Sequence, residues 1–175
     1  MPILRVDDFK GKLSGGGARA NLFDVNIVFP AYAGGDTELT NFMCRATNMP
    51  GSTIATIPVL FRGREVKVAG DRTFEDWSIT VYNDTNFSVR NSFETWMNGI
   101  NAHEENSGLT SPTAYQSDMQ VRQLDKNGDV LKTYQLRGAF PITVSPIELT
   151  YDQAGAIEEF EVTIAYQYWT SDTTS

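Results

Sequence analysis

At 175 residues, with 41% hydrophobic and 21% charged residues, the chain is sized for one domain that buries its own core, and disorder is not favoured. A formal net charge of −8 repels phosphate and argues against gripping nucleic acid through the overall field, although it leaves room for a surface that DNA slides past. The single cysteine, Cys44, excludes an intramolecular disulfide and a cysteine-based metal site, and suits folding in a reducing compartment.

The opening MPILRVDDFKGK mixes charges too early for a signal peptide, and no apolar run approaches the ~20 residues that span a bilayer, so no membrane association is expected. Residues 1–20 read as an N-terminal arm, made flexible by Ser14-Gly15-Gly16-Gly17. A first strand is expected over Asn21–Phe29, where Phe23, Val25, Ile27 and Phe29 alternate with Asp24, Asn26 and Val28 on the other face. Pro30–Asp36 reads as a loop and Leu39–Thr47 as the next strand.

The segment Pro50–Asp71 predicts a long β-hairpin, placed at 52–70. Ile54, Ile57, Pro58, Val59 and Phe61 lead to a tip at Arg62-Gly63-Arg64, and Val66 and Val68 lead back to Gly70. Pro58 cannot donate to a ladder, so this arm belongs at an edge or projects from the body. An apolar, projecting hairpin invites association unless a partner covers it. That is the strongest hint of an oligomer from the residues alone.

Asp76–Tyr82 predicts a strand with Trp77, Ile79 and Val81 on one face. Several polar residues in Asn83–Asn86 offer N-caps for a helix over 86–101, whose stripe is Val89, Phe93, Trp96, Met97 and Ile100. Gly108–Pro112 reads as a polar loop. Tyr115–Leu124 and Val130–Gly138 flank the Asn-Gly turn in Asp125–Asp129. Ile142–Tyr151 is expected as another strand, and Phe160 to Tyr168 as one long alternating strand. The sum is a mainly β domain over 21–170, a barrel or sandwich of about eight strands with one flanking α-helix and a projecting hairpin, followed by a C-terminal tail at 171–175.

A search for chemistry finds little. His103, the lone histidine, stands among solvated charges beyond the helix, which favours a surface residue over a catalytic base. Cys44 reads as a small buried hydrophobe. Glu158 and Glu159, adjacent on a strand, point to opposite faces and form no dyad. Asp125–Asp129 starts like a calcium loop, but Leu136 occupies the twelfth position, where a carboxylate is needed. Gly15-Gly16-Gly17 lacks the lysine and preceding strand of a phosphate loop. The nearest approach to a basic patch is Arg62, Arg64 and Lys67, where docking on an acidic neighbour competes with phosphate contact. The aromatic residues Phe23, Phe93, Trp96, Phe160 and Tyr166 fall on expected core faces. No enzyme, cofactor or metal site is expected.

One block carries more than a fold class. Val66–Asp84, VKVAGDRTFEDWSITVYND, closely resembles the signature of the tail tube proteins of contractile-tailed, T4-like bacteriophages, through Gly70, Asp71, Arg72, Phe74 and Trp77. Asn21-Leu22-Phe23, the order Cys44, Ala46, Thr47, Pro50, Ile57-Pro58-Val59, and Phe160–Thr163 with Tyr168-Trp169 extend the likeness over about residues 20 to 169.

The resemblance implies a β-barrel subunit, six to a ring, with neighbouring sheets joined into one inner barrel and rings stacked into a tube. It implies that the hairpin packs on the adjacent ring. It also implies partners: other copies of the chain, a tail sheath protein, baseplate and tail terminator proteins, and tape measure protein and DNA in the lumen without specific nucleic-acid binding. The expected place is the virion tail, after synthesis in the host bacterial cytoplasm. An acidic lumen would repel passing DNA, and Glu159 and Glu161 are the lumen-facing candidates, with outward solvent exposure the competing reading. The rival functions are a tube of a headless contractile injection system, such as an R-type bacteriocin or type VI secretion machine, and a monomeric β-barrel ligand-binding module.

Overall fold

The structure is a computed structural model that describes residues 5–174. Among the described residues, nine strands and four α-helices follow in the order α1 (Val6–Lys12), β1 (Phe23–Ile27), α2 (Thr37–Met43), β2 (Cys44–Thr47), β3 (Ser52–Phe61), β4 (Arg64–Phe74), β5 (Trp77–Tyr82), α3 (Ser88–Ile100), α4 (Pro112–Tyr115), β6 (Ser117–Leu124), β7 (Val130–Val144), β8 (Glu159–Ala165) and β9 (Tyr168–Ser171). A short 3-10 turn at Ser14–Gly16 follows α1. Seven strands make one sheet in the order β1-β6-β7-β8-β5-β2, with β9 also paired to β7, while β3 and β4 pair only with each other. All of these pairings are antiparallel. The large sheet stays open, because its end strands β1 and β2 do not pair with each other, so it is not a closed barrel.

Alternation buries one face of that sheet. Val25, Ile27, Trp77, Ile79, Val81, Met119, Val121, Leu136, Phe160, Val162 and Ile164 form its core with Val89, Phe93 and Trp96 of α3. Phe29 sits edge-on to Phe93 at 5.1 Å and to Trp96 at 5.7 Å, tying the chain after β1 to the helix. Trp96 Nε1 donates to the Tyr115 carbonyl at 2.7 Å, so the indole is buried without an unmet donor.

Several expected elements change. Leu39–Thr47 is mostly helix, not strand. The Asp36 carboxylate caps α2 by accepting from the Glu38 and Leu39 amides at 2.9 and 3.1 Å. Leu39 and Met43, four apart, then pack on the core, and only Cys44–Thr47 is extended. Pro112–Tyr115, at the end of the expected loop, is a helical turn with proline in its first turn. The helix α3 does appear, starting at Ser88. Its N-cap position is Phe87 at φ 56°, and Asp84 does the capping, accepting from the Ser88 amide and hydroxyl, each at 2.9 Å.

The last third differs most. Val130–Gly138 does not end at Gly138; β7 continues to Val144, and the strand expected over Ile142–Tyr151 dissolves after that point into a loop. Gly138 takes φ 63°, a left-handed value favouring glycine, beside a register shift between Ser117 and Met119. The kink lets Tyr134–Arg137 pair with β9 and Phe140–Val144 pair with β8. The single strand expected from Phe160 to Tyr168 is accordingly two, broken where the Gln167 amide donates to the Arg137 carbonyl at 2.9 Å. The Asn-Gly turn holds as expected, with Gly128 at φ 86° and the Asp125 amide on the Asp129 carbonyl at 2.8 Å.

Candidate assembly interface

The hairpin β3–β4 turns at Arg62-Gly63, both at positive φ (48° and 79°), the conformation of a tight two-residue hairpin turn. Cross-strand pairs Ile57↔Val68, Val59↔Val66 and Phe61↔Arg64 set Ile57, Val59, Phe61, Val66 and Val68 on one face. The other face carries Ile54, Thr56, Pro58, Leu60, Glu65 and Lys67. The apolar face is bare: Ile57 is 52% and Phe61 62% exposed, where the sheet core is fully covered. An amphipathic two-stranded ribbon with its apolar side in water lacks the covering layer that a stable sheet requires.

The signature residues sit where this ribbon meets the body. Two steps on β3, Ile54 to Thr56, match three on β4, Ala69 to Arg72, so Gly70 and Asp71 form a bulge opposite Ala55. A Cβ on Gly70 would lie 3.0 Å from the Ala55 carbonyl oxygen and 3.1 Å from Ile57 Cγ1, which is why glycine stands there. Phe74 packs against Tyr166 (6.1 Å) and Trp169 (6.3 Å). Trp77, fully buried, donates from Nε1 to the Asn48 carbonyl at 2.8 Å, and Trp169 donates to the Gly51 carbonyl at 3.1 Å. Burial first, and then the charges of Asp76 and Glu75, push the Tyr166 phenol up to about 12, so it stays neutral. Asp71 and Arg72 are exposed beside this joint.

The second feature is the sheet face away from the core, where Ser78, Thr80 and Tyr82 of β5 lie beside Thr163, Glu161 and Glu159 of β8. Both glutamates are exposed, but they differ. Glu159 is ion-paired with Arg45 of β2, whereas the Glu161 carboxylate has no ion pair among the described residues. A third feature escaped the sequence. Residues 145–158, read in part as strand, form a loop that exposes Leu149, Tyr151 and Ile157 and walls a groove of about 640 Å3 against Arg45, Tyr82 and Glu159. The only sequence signal for it was the apolar residues scattered through a stretch rich in turn formers.

The remaining candidates are not brought together. His103 is exposed, its amide donating to the Asn98 side chain at 3.1 Å. Cys44 is half-buried at the start of β2, and burial pushes its thiol up to about 11, which disfavours the nucleophilic thiolate. Among the described residues, no three His, Cys, Asp or Glu side chains converge on a point. No helix among them is long and apolar enough to cross a membrane.

An open antiparallel sheet with one flanking helix layer and a bare projecting hairpin defines an assembly subunit. The family model of the phage tail tube protein matches residues 18–172. The tail tube protein gp19 of Enterobacteria phage T4 is 36% identical over 157 residues, covering 89% of this chain and 93% of that protein. The tail tube protein of Serratia phage KSP90 is 34% identical over 172 residues, 95% of this chain and 97% of that one. The chain belongs to the phage tail tube protein family. The fold is shared with the anti-feeding prophage tube-terminating cap (TM-score 0.65, 16% identity, 90% and 91% of the two chains covered). A chain of the sheath-tube complex of the extracellular contractile injection system PVC, in its extended state, is similar too (TM-score 0.59, 14% identity, 97% and 99% covered).

Proposed function

We propose that this chain is the structural subunit of a contractile phage tail tube, forming hexameric rings that stack into the conduit for DNA ejection. The observation that carries the proposal is the bare apolar face of the β3–β4 hairpin on a chain of this family, since that surface needs a second copy to cover it. On this reading residues 21–170 are the tube domain and residues 1–20 an arm, of which 1–4 lie outside the described residues. The tail expected at 171–175 starts later, because Ser171 is buried and pairs with Tyr134 as the last residue of β9, and residue 175 lies outside the described residues. Ile54, Ile57, Pro58, Val59, Phe61, Arg62, Gly63 and Arg64 make the ring-to-ring contact. The open edges β1 and β2 are closed by neighbours in the ring, which satisfies backbone groups that are otherwise unpaired.

The polar face holding Glu159 and Glu161 then lines the lumen, where the Glu161 carboxylate, without an ion pair among the described residues, repels the phosphate backbone and keeps DNA from adhering. No catalysis is involved. The partners are the tail sheath, baseplate and tail terminator proteins, with tape measure protein and DNA inside, and the subunit is made in the host cytoplasm without membrane contact. The sequence relatives at 34–36% identity are phage tail tubes, which favours a phage tail over a headless injection system. Electron microscopy of the purified protein tests this: stacked rings are expected. A stable monomer at high concentration would return the ligand-binding module to first place.

A further inference from the structure

We propose that the groove walled by residues 145–158 is the socket that receives the hairpin tip of the next copy along the tube, an inference that rests on the stacking reading above. Direction comes first. The register Trp77↔Ile164 puts the hairpin root at one end of β5 and β8, and Tyr82↔Glu159 puts the groove at the other. The six residues of β5 separate the two ends by about 17 Å at ~3.3 Å per residue. A plug at one pole and a socket at the other is a heterologous contact, which propagates as an open filament instead of closing into a dimer.

Chemistry comes second. The groove carries Glu148, Glu158 and Glu159 against one cation, Arg45. The outer half of the hairpin carries Arg62, Arg64 and Lys67 against one carboxylate, Glu65. Each side therefore has an excess of two charges, of opposite sign. The apolar parts match as well: Phe61 and Leu60, on opposite faces of the hairpin tip and 62% and 80% exposed, would meet the two sides of a groove whose walls include Leu149 and Ile157, 77% and 69% exposed. Within the groove, Glu159 is ion-paired with Arg45 and Glu158 accepts from the neutral Asn83 Nδ2 at 3.0 Å, while the Glu148 side chain has neither an ion pair nor a hydrogen bond among the described residues. Glu148 is the carboxylate free to meet an incoming guanidinium. Opposite charge aligns such a contact and rejects wrong registers.

The test is a disulfide trap in assembled protein. Arg62→Cys and Glu148→Cys are combined in one Cys44→Ser chain, and purified tubes are oxidised and run on a non-reducing gel. Every chain then offers both a plug and a socket, so a ladder rising through trimers and beyond is expected. Either cysteine alone should give at most dimers. Charge exchange supplies a second readout: Arg62→Glu with Arg64→Glu, or Glu148→Lys, should each cut sedimentable tubes about tenfold, and combining them should recover most of the loss. Tubes unaffected by Glu148→Lys, with no ladder, would overturn the socket while leaving the stacking reading intact. A wild-type protein forming neither rings nor tubes would instead remove the stacking reading on which it rests.

Discussion

The body sheet and the hairpin are written in the same alternating code and meet opposite fates. In β5, Trp77, Ile79 and Val81 are covered by the chain itself, through α3 and its buried Phe93 and Trp96. In β3, Ile57, Val59 and Phe61 alternate just as regularly but stay about half exposed or more among the described residues. Periodicity reports which residues want burial, but not whose atoms supply it. Where the chain runs out of covering elements, the deficit is what the proposed contact with a second copy would fill.

Breaking the uncovered side should have the largest effect. Replacing Ile57, Val59 and Phe61 together by serine removes at least ~1.5 kcal/mol of burial per residue from each contact, weakening tube growth by roughly a thousandfold or more. The melting temperature of the subunit should stay nearly constant. A large fall in melting would mean that the hairpin is part of the monomer's own core. The covered side should behave in the opposite way. Trp96→Ala should cost the fold about 3–5 kcal/mol, read from urea unfolding, and any tube loss should follow only from lost protein.

Cys44 sharpens the boundary between the two. Its folded thiol holds its proton more tightly than the unfolded one, so the associated stability is full below the ordinary thiol range and is lost as pH rises toward about 11. Urea midpoints should therefore fall more steeply over that window than in Cys44→Ala, and equal slopes would put the thiol in open water. Asp84→Ala should cost about 1 kcal/mol by uncapping α3, visible as a small melting shift. Smallest of all, Arg45→Ala should change monomer stability by less than ~1 kcal/mol, since its ion pair with Glu159 is exposed on both sides.

What could be read from sequence was what local chemistry decides. β5, α3, the Asn-Gly turn and the hairpin tip were legible because alternation, a 3.6-residue stripe and turn residues each act within a few positions. The failures were tertiary. Leu39–Met43 satisfies a strand pattern as well as a helical one until the Asp36 cap and the core choose between them. The kink at Gly138 and the break at Gln167 define each other across the sheet, so neither half shows it alone. The hairpin half of the candidate interface was visible because its residues are contiguous. The groove was not, because Arg45, Tyr82 and Glu148 come from three distant segments.

The aromatic joint at the foot of the hairpin has a mechanical meaning. Phe74 against Tyr166 and Trp169, with two indoles holding the Asn48 and Gly51 carbonyls, clamps one end of a ten-residue beam. At ~3.3 Å per residue the beam is about 30 Å long, so roughly 5° of play at the clamp moves the tip by about 3 Å. That is enough to miss a hydrogen bond. If the hairpin makes the proposed contact between copies, the straightness of a stack would depend on the stiffness of this aromatic joint as well as on the surfaces that touch.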